Sequence, residues 1–180
     1  LKGQGQCANW CDTQFTEGVS YSLEDLISEI NKLSTDMFKP FVVITGGEPM
    51  LQLKRQVGLD LVKYLLDNNY HVAIETNGTI YSEVIDLLLE SKKGHITVSP
   101  KPLKNKGSDI SHLKVVKGDD LKVIYPTEFS LISFASLDFK NYYLQPKDSK
   151  DDDYLDETIS VATDYGWAVS VQTHKLLGLR

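Results

Sequence analysis

The run FVVITGGEPM at residues 41–50 constrains this chain more than any other feature. Its apolar opening carries β-branched residues, the composition of a buried strand. Thr45 ends the apolar run, and Gly46, Gly47, Glu48 and Pro49 follow at once. Two glycines let a backbone come close to a ligand and leave N–H groups free to face it. Glu48 adds a carboxylate and Pro49 stops the strand. A strand with a polar C-terminal tip belongs to a parallel α/β sheet or barrel, which places its site at that edge. A tight strand-to-helix turn without any ligand has the same local sequence, so one tip alone decides nothing.

The transition recurs. Residues 71–75 (HVAIE) run into Thr76, Asn77, Gly78 and Thr79. Residues 95–99 (HITVS) run into Pro100, Lys101 and Pro102. Residues 141–145 (NYYLQ) run into Pro146, Lys147 and Asp148, and residues 168–172 (AVSVQ) into Thr173, His174 and Lys175. A further strand at 120–125 (DLKVIY) is stopped by Pro126.

Between the strands lie helical periods. Residues 22–33 put Leu23, Leu26, Ile27, Ile30 and Leu33 on one face, with Ser22 and Asp25 spaced as a capping box. Residues 59–68 turn Leu59, Val62, Leu65 and Leu66 inward, and residues 81–90 form a third helix. Residues 151–165 form a fourth, and Asp151, Asp152 and Asp153 suit its N-terminus. Residues 130–137 fit a short helix or a strand. Residues 1–18 and 101–113 read as loops. Asn77 and Gly78 are a hairpin signal, but the helical stretch after them makes a hairpin the weaker reading. Strands alternating with helices, without repeat or linker, predict one α/β domain over residues 1–180. Its architecture is a parallel sheet or partial (incomplete) TIM-like barrel with flanking helices.

In a parallel barrel these tips converge on one rim. The rim would hold Glu48, Glu75, Asn77, Ser99, Lys101, Gln145, Asp148 and His174, which suits a polar, zwitterionic or multiply hydrogen-bonding ligand. Each has a plain structural alternative. Glu75 can cap the following helix, Asn77 can take the left-handed position of a turn, and Lys101 can be a solvated lysine like Lys104 and Lys106. His71 and His95 begin strands and read as surface residues.

Composition narrows the partners. A net charge of −6 and a pI near 5.2 argue against a general nucleic-acid binder. No apolar run approaches the length of a membrane span, and the opening LKGQGQC has no signal-peptide core. The absent initiating Met points to a trimmed start. Cys7 and Cys11 are the two cysteines, too few for the disulfide framework of a secreted fold. In a chain that reads as cytoplasmic, such a pair indicates metal, cluster or redox chemistry. Thiolates hold iron–sulfur clusters, and three of them leave one iron open. Zinc wants four nitrogen or sulfur ligands, and the nearest His is distant. Asp12 and Thr13 offer hard oxygen ligands to Mg2+.

Six motifs stand together in order: CDT at 11–13, TGGEP at 45–49, ETNGT at 75–79, SPK at 99–101, YLQP at 143–146 and VQTHK at 171–175. They resemble those of the radical S-adenosylmethionine (SAM) superfamily and, more narrowly, of the 7-carboxy-7-deazaguanine synthase family. The resemblance implies a lyase that converts 6-carboxy-5,6,7,8-tetrahydropterin to 7-carboxy-7-deazaguanine with loss of ammonia, in queuosine and 7-deazapurine biosynthesis. It implies a 4Fe–4S cluster, SAM and Mg2+, an electron donor such as flavodoxin or ferredoxin, and a homodimer.

By the same resemblance Cys7 and Cys11 are cluster ligands and Thr13 binds Mg2+. SAM is lined by Gly46, Gly47, Glu48, Asn77, Ser99, Pro100, Lys101, Gln145, Pro146, Lys147 and Asp148. Substrate meets Gln4, Gly5, Thr45, Glu75, His174 and the carboxylate of Arg180. Two departures stand out. The family carries three cysteines, and Ala8 occupies the place of one. The LKGQG stretch at 1–5, similar to the family's substrate loop, stands almost directly before CDT, so residues are expected to be missing between Gln6 and Ala8. The alternatives are another radical SAM enzyme of activating type and a non-catalytic metabolite-binding relative without a complete cluster.

Overall fold

The computed structural model describes residues 18–35, 38–102, 109–149, 152–173 and 177–178. Ser22 starts the first helix, α1 (Leu23–Lys32), as its spacing predicts. Its Oγ accepts the Asp25 N–H at 3.1 Å and donates to the Asp25 carboxylate at 2.8 Å. Leu23, Leu26, Ile27 and Ile30 lean on the core, whereas Leu33 caps the helix and stays exposed.

Six strands follow: β1 (Phe41–Ile44), β2 (His71–Thr76), β3 (Gly94–Val98), β4 (Lys117–Tyr125), β5 (Asp138–Pro146) and β6 (Ala168–Val169). They form one sheet in the order β1-β2-β3-β4-β5-β6, and every neighbouring pair is parallel. Each strand is added beside the previous one, always in the same direction. Because crossovers between parallel strands are right-handed, their helices all fall on one face. That is the winding of a partial α/β barrel, as expected.

The connections are α2 (Met50–Leu53) and α3 (Gln56–Asp67) after β1, and α4 (Glu83–Glu90) after β2. A 3-10 helix (Leu131–Ser136) follows β4, and α5 (Leu155–Tyr165) follows β5. Val72, Ile74, Ile96, Val98, Leu121, Val123 and Leu144 point to the helical side, where Val62, Leu65, Val84, Ile85 and Leu88 bury them. Strand parity then turns the intervening residues to the opposite, concave face.

Several boundaries differ from the sequence expectation. β4 begins at Lys117 and β5 at Asp138, each three residues earlier than the apolar runs suggest. Two of the added residues, Asp119 and Lys140, are charged and pair with each other across the two strands. Lys140 Nζ donates to Asp119 Oδ1 at 2.6 Å, and Asn141 Nδ2 to Asp120 Oδ1 at 2.9 Å. Residues 130–137 resolve as the 3-10 helix. α5 begins at Leu155, not 151, and Asp153 Oδ1 accepts the Leu155 N–H from ahead of the helix. β6 is two residues long, although Ser170 N–H still bonds Leu144 O at 2.8 Å. The short helix α2 has no counterpart in the sequence reading, since four residues are too few to show a period.

Asp119 sits where β4 parts from β3. Burial pushes its carboxyl up, but the Lys140 ammonium, the Ile96 N–H at 2.8 Å and His95 outweigh that and hold it below its usual range. A carboxyl whose folded pKa is depressed stabilises the fold above its unfolded pKa, about 3.9. The contribution is lost as pH falls through the folded value. Asp119→Asn should therefore lower stability at pH 7 by about 1 kcal/mol. Urea unfolding should show the gap to wild type narrowing below about pH 4, and a gap that is constant with pH would contradict the assignment.

Candidate functional site at the strand tips

The tips of β1 and β2 are joined by one side chain. Glu48 follows the β1 tip and is 6% exposed. Its Oε1 accepts the Thr76 hydroxyl at 2.6 Å and the Met50 N–H at 3.0 Å, and its Oε2 accepts the Asn77 N–H at 2.8 Å. The carboxylate thus points into the protein, and both oxygens are used there. Thr45, Gly46 and Gly47 remain exposed beside it, with Gly46 at φ 118°, a backbone setting open to glycine.

The β2 tip turns tightly beyond this link. Thr76 Oγ1 accepts the Gly78 N–H at 3.1 Å, and Asn77 Oδ1 accepts from Thr79 N–H at 2.9 Å and Thr79 Oγ1 at 2.7 Å. Gly78, not Asn77, takes the positive φ, at 79°. A Cβ there would stand 2.7 Å from Val98 Cγ1. The Asn-Gly pair therefore makes a strand-to-helix turn and no hairpin.

The concave face is read from the register. Glu75 stands opposite Thr97, Thr97 opposite Asp120, and Asp120 opposite Asn141. Two residues further along, Lys122 stands opposite Tyr143, and beyond it Ile124 opposite Gln145. Glu75 does not cap α4. Its Oε2 lies 3.7 Å from Lys122 Nζ, across β3. His95 Nε2 lies 2.9 Å from Asp120 Oδ2, so His95 is a half-buried partner on this face and no plain surface residue. Phe41, Val43, His71 and Ala73 share the face toward the β1 edge.

The remaining predicted residues lie around the same edge. Ser99 is fixed by its N–H to Thr76 O at 2.8 Å, and Lys101 Nζ donates to Ser99 Oγ at 2.7 Å. Gln145 and Pro146 end β5, and the Lys147 N–H bonds Tyr125 O at 2.7 Å. Glu48 with Asn77, and Ser99 with Lys101, are therefore brought into direct contact. Glu75, Ser99 and Gln145 share the concave side. Gln4, Gly5, Cys7, Cys11, Thr13, His174 and Arg180 lie outside the described residues. Among the described residues no group of three or more His, Cys, Asp or Glu is placed to hold a metal ion, and no helix is long and apolar enough to cross a membrane. A cleft of about 330 Å3 between the α2–α3 junction and α4 contains none of the predicted site residues.

Thr76, His95, Asp120 and Lys122 stand beside the predicted residues at this candidate site, and sequence reasoning did not single them out for it. The signal for Lys122 was present in parity, since Asp120, Lys122 and Ile124 alternate with the buried Leu121 and Val123. Its pairing with Glu75 depends on strand order, which alternation does not contain.

A model of the Radical SAM superfamily matches residues 6–125. The chain is similar to the 7-carboxy-7-deazaguanine synthase of Caulobacter vibrioides, 35% identical over 184 residues that cover 94% of this chain and 77% of the relative. The synthase of Bradyrhizobium diazoefficiens is 32% identical over 193 residues, covering 98% of this chain and 80% of the relative. That of Aquifex aeolicus is 29% identical over 197 residues, covering 100% and 83%.

Replacing Glu48 by Gln removes the charge and turns one acceptor into a donor that faces an N–H or O–H. Unfolding in urea should show a loss of about 2 kcal/mol, because at least one of the three buried donors then faces an NH2 group and loses its acceptor. Wild-type stability in Glu48→Gln would rule out the three buried hydrogen bonds of Glu48 as the link between the tips.

Proposed function

The chain belongs to the radical SAM superfamily and, within it, to the 7-carboxy-7-deazaguanine synthases, and on that premise we propose how its residues serve this activity. The reaction is conversion of 6-carboxy-5,6,7,8-tetrahydropterin to 7-carboxy-7-deazaguanine with loss of ammonia. The observation that carries the reading is the concave face, where Glu75 is set by register among Thr97, Lys122, Tyr143 and Gln145. A pterin is a flat ring with several hydrogen-bonding groups on its edge, and such a face matches it.

The superfamily works with a 4Fe–4S cluster and SAM, and both belong to this enzyme. When bound they supply the radical chemistry, and the protein supplies binding and orientation. For SAM the donor set fits. The exposed Gly46–Gly47 backbone, Ser99 with Lys101, and the β5 tip from Gln145 to Asp148 offer N–H, hydroxyl, amide and charged groups along one rim. Glu48 serves that rim by holding the glycine loop against Asn77, since its carboxylate is consumed inside. Glu75 accepts ring N–H groups of the substrate, with Thr45 beside it at the neighbouring tip. Gln4, Gly5, His174 and Arg180 complete the substrate shell, and Thr13 holds Mg2+.

For the cluster, Cys7 and Cys11 are two of three required thiolates, and no step is assigned to them. The alignment with the Aquifex aeolicus relative takes in all of this chain and yet extends over 197 residues against 180. That supports residues in the relative that this chain lacks, and we place them between Gln6 and Ala8, where they bring the third thiolate. We assign residues 1–180 to one domain, cytoplasmic and homodimeric, reduced by a flavodoxin or ferredoxin. The two-cysteine count favours one second reading, a metabolite-binding relative that has lost its cluster.

Anaerobic reconstitution of the full-length gene product separates the two. About four iron and four sulfide per chain, with 7-carboxy-7-deazaguanine and ammonia formed from the carboxypterin, are expected. No iron and no product would leave the non-catalytic reading. Glu75→Gln should keep the iron content and lose about 1.5–3 kcal/mol of substrate binding, a rise in KM of about ten- to a hundredfold. An unchanged KM would remove Glu75 from the substrate shell.

A further inference from the structure

We propose that Lys122 is a substrate-binding residue that, together with Glu75, reads the 2-amino-4-oxo edge of the pterin ring. The inference rests on the pterin reading of this site and extends it to a residue outside the recognised motifs. Glu75 and Lys122 lie on β2 and β4, and the register through Thr97 on β3 turns both to the concave face. Their charged atoms are 3.7 Å apart, an ion pair beyond hydrogen-bond range. The carboxylate side chain is 45% exposed and the lysine side chain 22% exposed, so neither is sealed in the core.

The neighbours leave Lys122 to this role. Asp120, two residues back on the same face, is already met by His95 at 2.9 Å and by Asn141 at 2.9 Å. A partly exposed ion pair at such a distance contributes little to stability, so a structural role explains the lysine poorly. An acceptor beside a donor is what the ring edge requires. The edge presents a carbonyl oxygen, then a ring N–H, then an exocyclic amine. Lys122 donates to the carbonyl, and Glu75 accepts from the N–H and the amine. Parallel hydrogen bonds of ~2.9 Å to adjacent ring groups splay slightly, which suits partners at this separation. An edge with an amino group in place of the carbonyl would set a donor against the ammonium, so the pair also excludes the wrong ring.

The test uses full-length reconstituted protein with SAM and two fluorescent probes, pterin-6-carboxylate and 2,4-diaminopteridine-6-carboxylate. Wild type should bind the first at least about tenfold more tightly than the second. Lys122→Met should weaken pterin binding about tenfold and bring the two affinities within about threefold, with SAM affinity unchanged. Lys122→Gln should fall between the two. The ratio does not depend on the fraction of folded protein, so partial misfolding of a variant does not obscure it. A wild-type ratio in both variants overturns the role of Lys122 and leaves the substrate class standing. Failure of wild type to bind the pterin overturns the substrate reading and this role together.

Discussion

The buried carboxylate of Glu48 is the constraint on which the rim depends. Taking an ionised carboxylate out of water costs several kcal/mol. Here three donors offset it: the Thr76 hydroxyl and the N–H groups of Met50 and Asn77. A buried charge whose hydrogen bonds are all made comes out near balance, whereas removing one of its partners is costly. The interaction therefore specifies geometry more than it adds stability. It holds the glycine loop of β1 at a fixed distance from the turn of β2, and Thr76 in turn fixes Ser99 through its carbonyl. Three tips are set by one chain of bonds.

Below the rim, the sheet divides the chain by parity. Most residues facing the helices are Val, Ile and Leu, and Val72, Ile74, Ile96, Val98, Leu121, Val123 and Leu144 are fully buried. Those facing the concave side include Glu75, His95, Asp120, Lys122, Asn141 and Gln145. Polar side chains in a sheet interior are costly unless paired. His95, Asp120 and Asn141 pair with one another, whereas Glu75 and Lys122 meet loosely. The loosely met pair keeps bonding capacity for a ligand.

The strand tips and the α1 cap were legible in the sequence because they depend on neighbours two to four residues away. An apolar run ending in Gly-Gly-Glu-Pro is local, and so is Ser22 with Asp25. The direction of the Glu48 side chain was not legible. A carboxylate after two glycines looks available to a ligand until a hydroxyl from another strand, Thr76, stands 2.6 Å away. The early starts of β4 and β5 were hidden for the same reason. Asp119 and Lys140 look like loop residues until each is seen beside the other across the two strands.

The sequence by itself determined the α/β class, the run of polar strand tips, and the motifs that place the chain among radical SAM enzymes. Those rest on residue type and short spacing, which a linear string carries in full. The tertiary structure alone decided which strands are neighbours, in what register, and so which charges meet. Alternation fixes the face of a residue within its own strand, but nothing local fixes that face against a strand formed far away in the chain. Glu75 and Lys122 share a site only because β3 lies between their strands and the parallel register sets them on the same side.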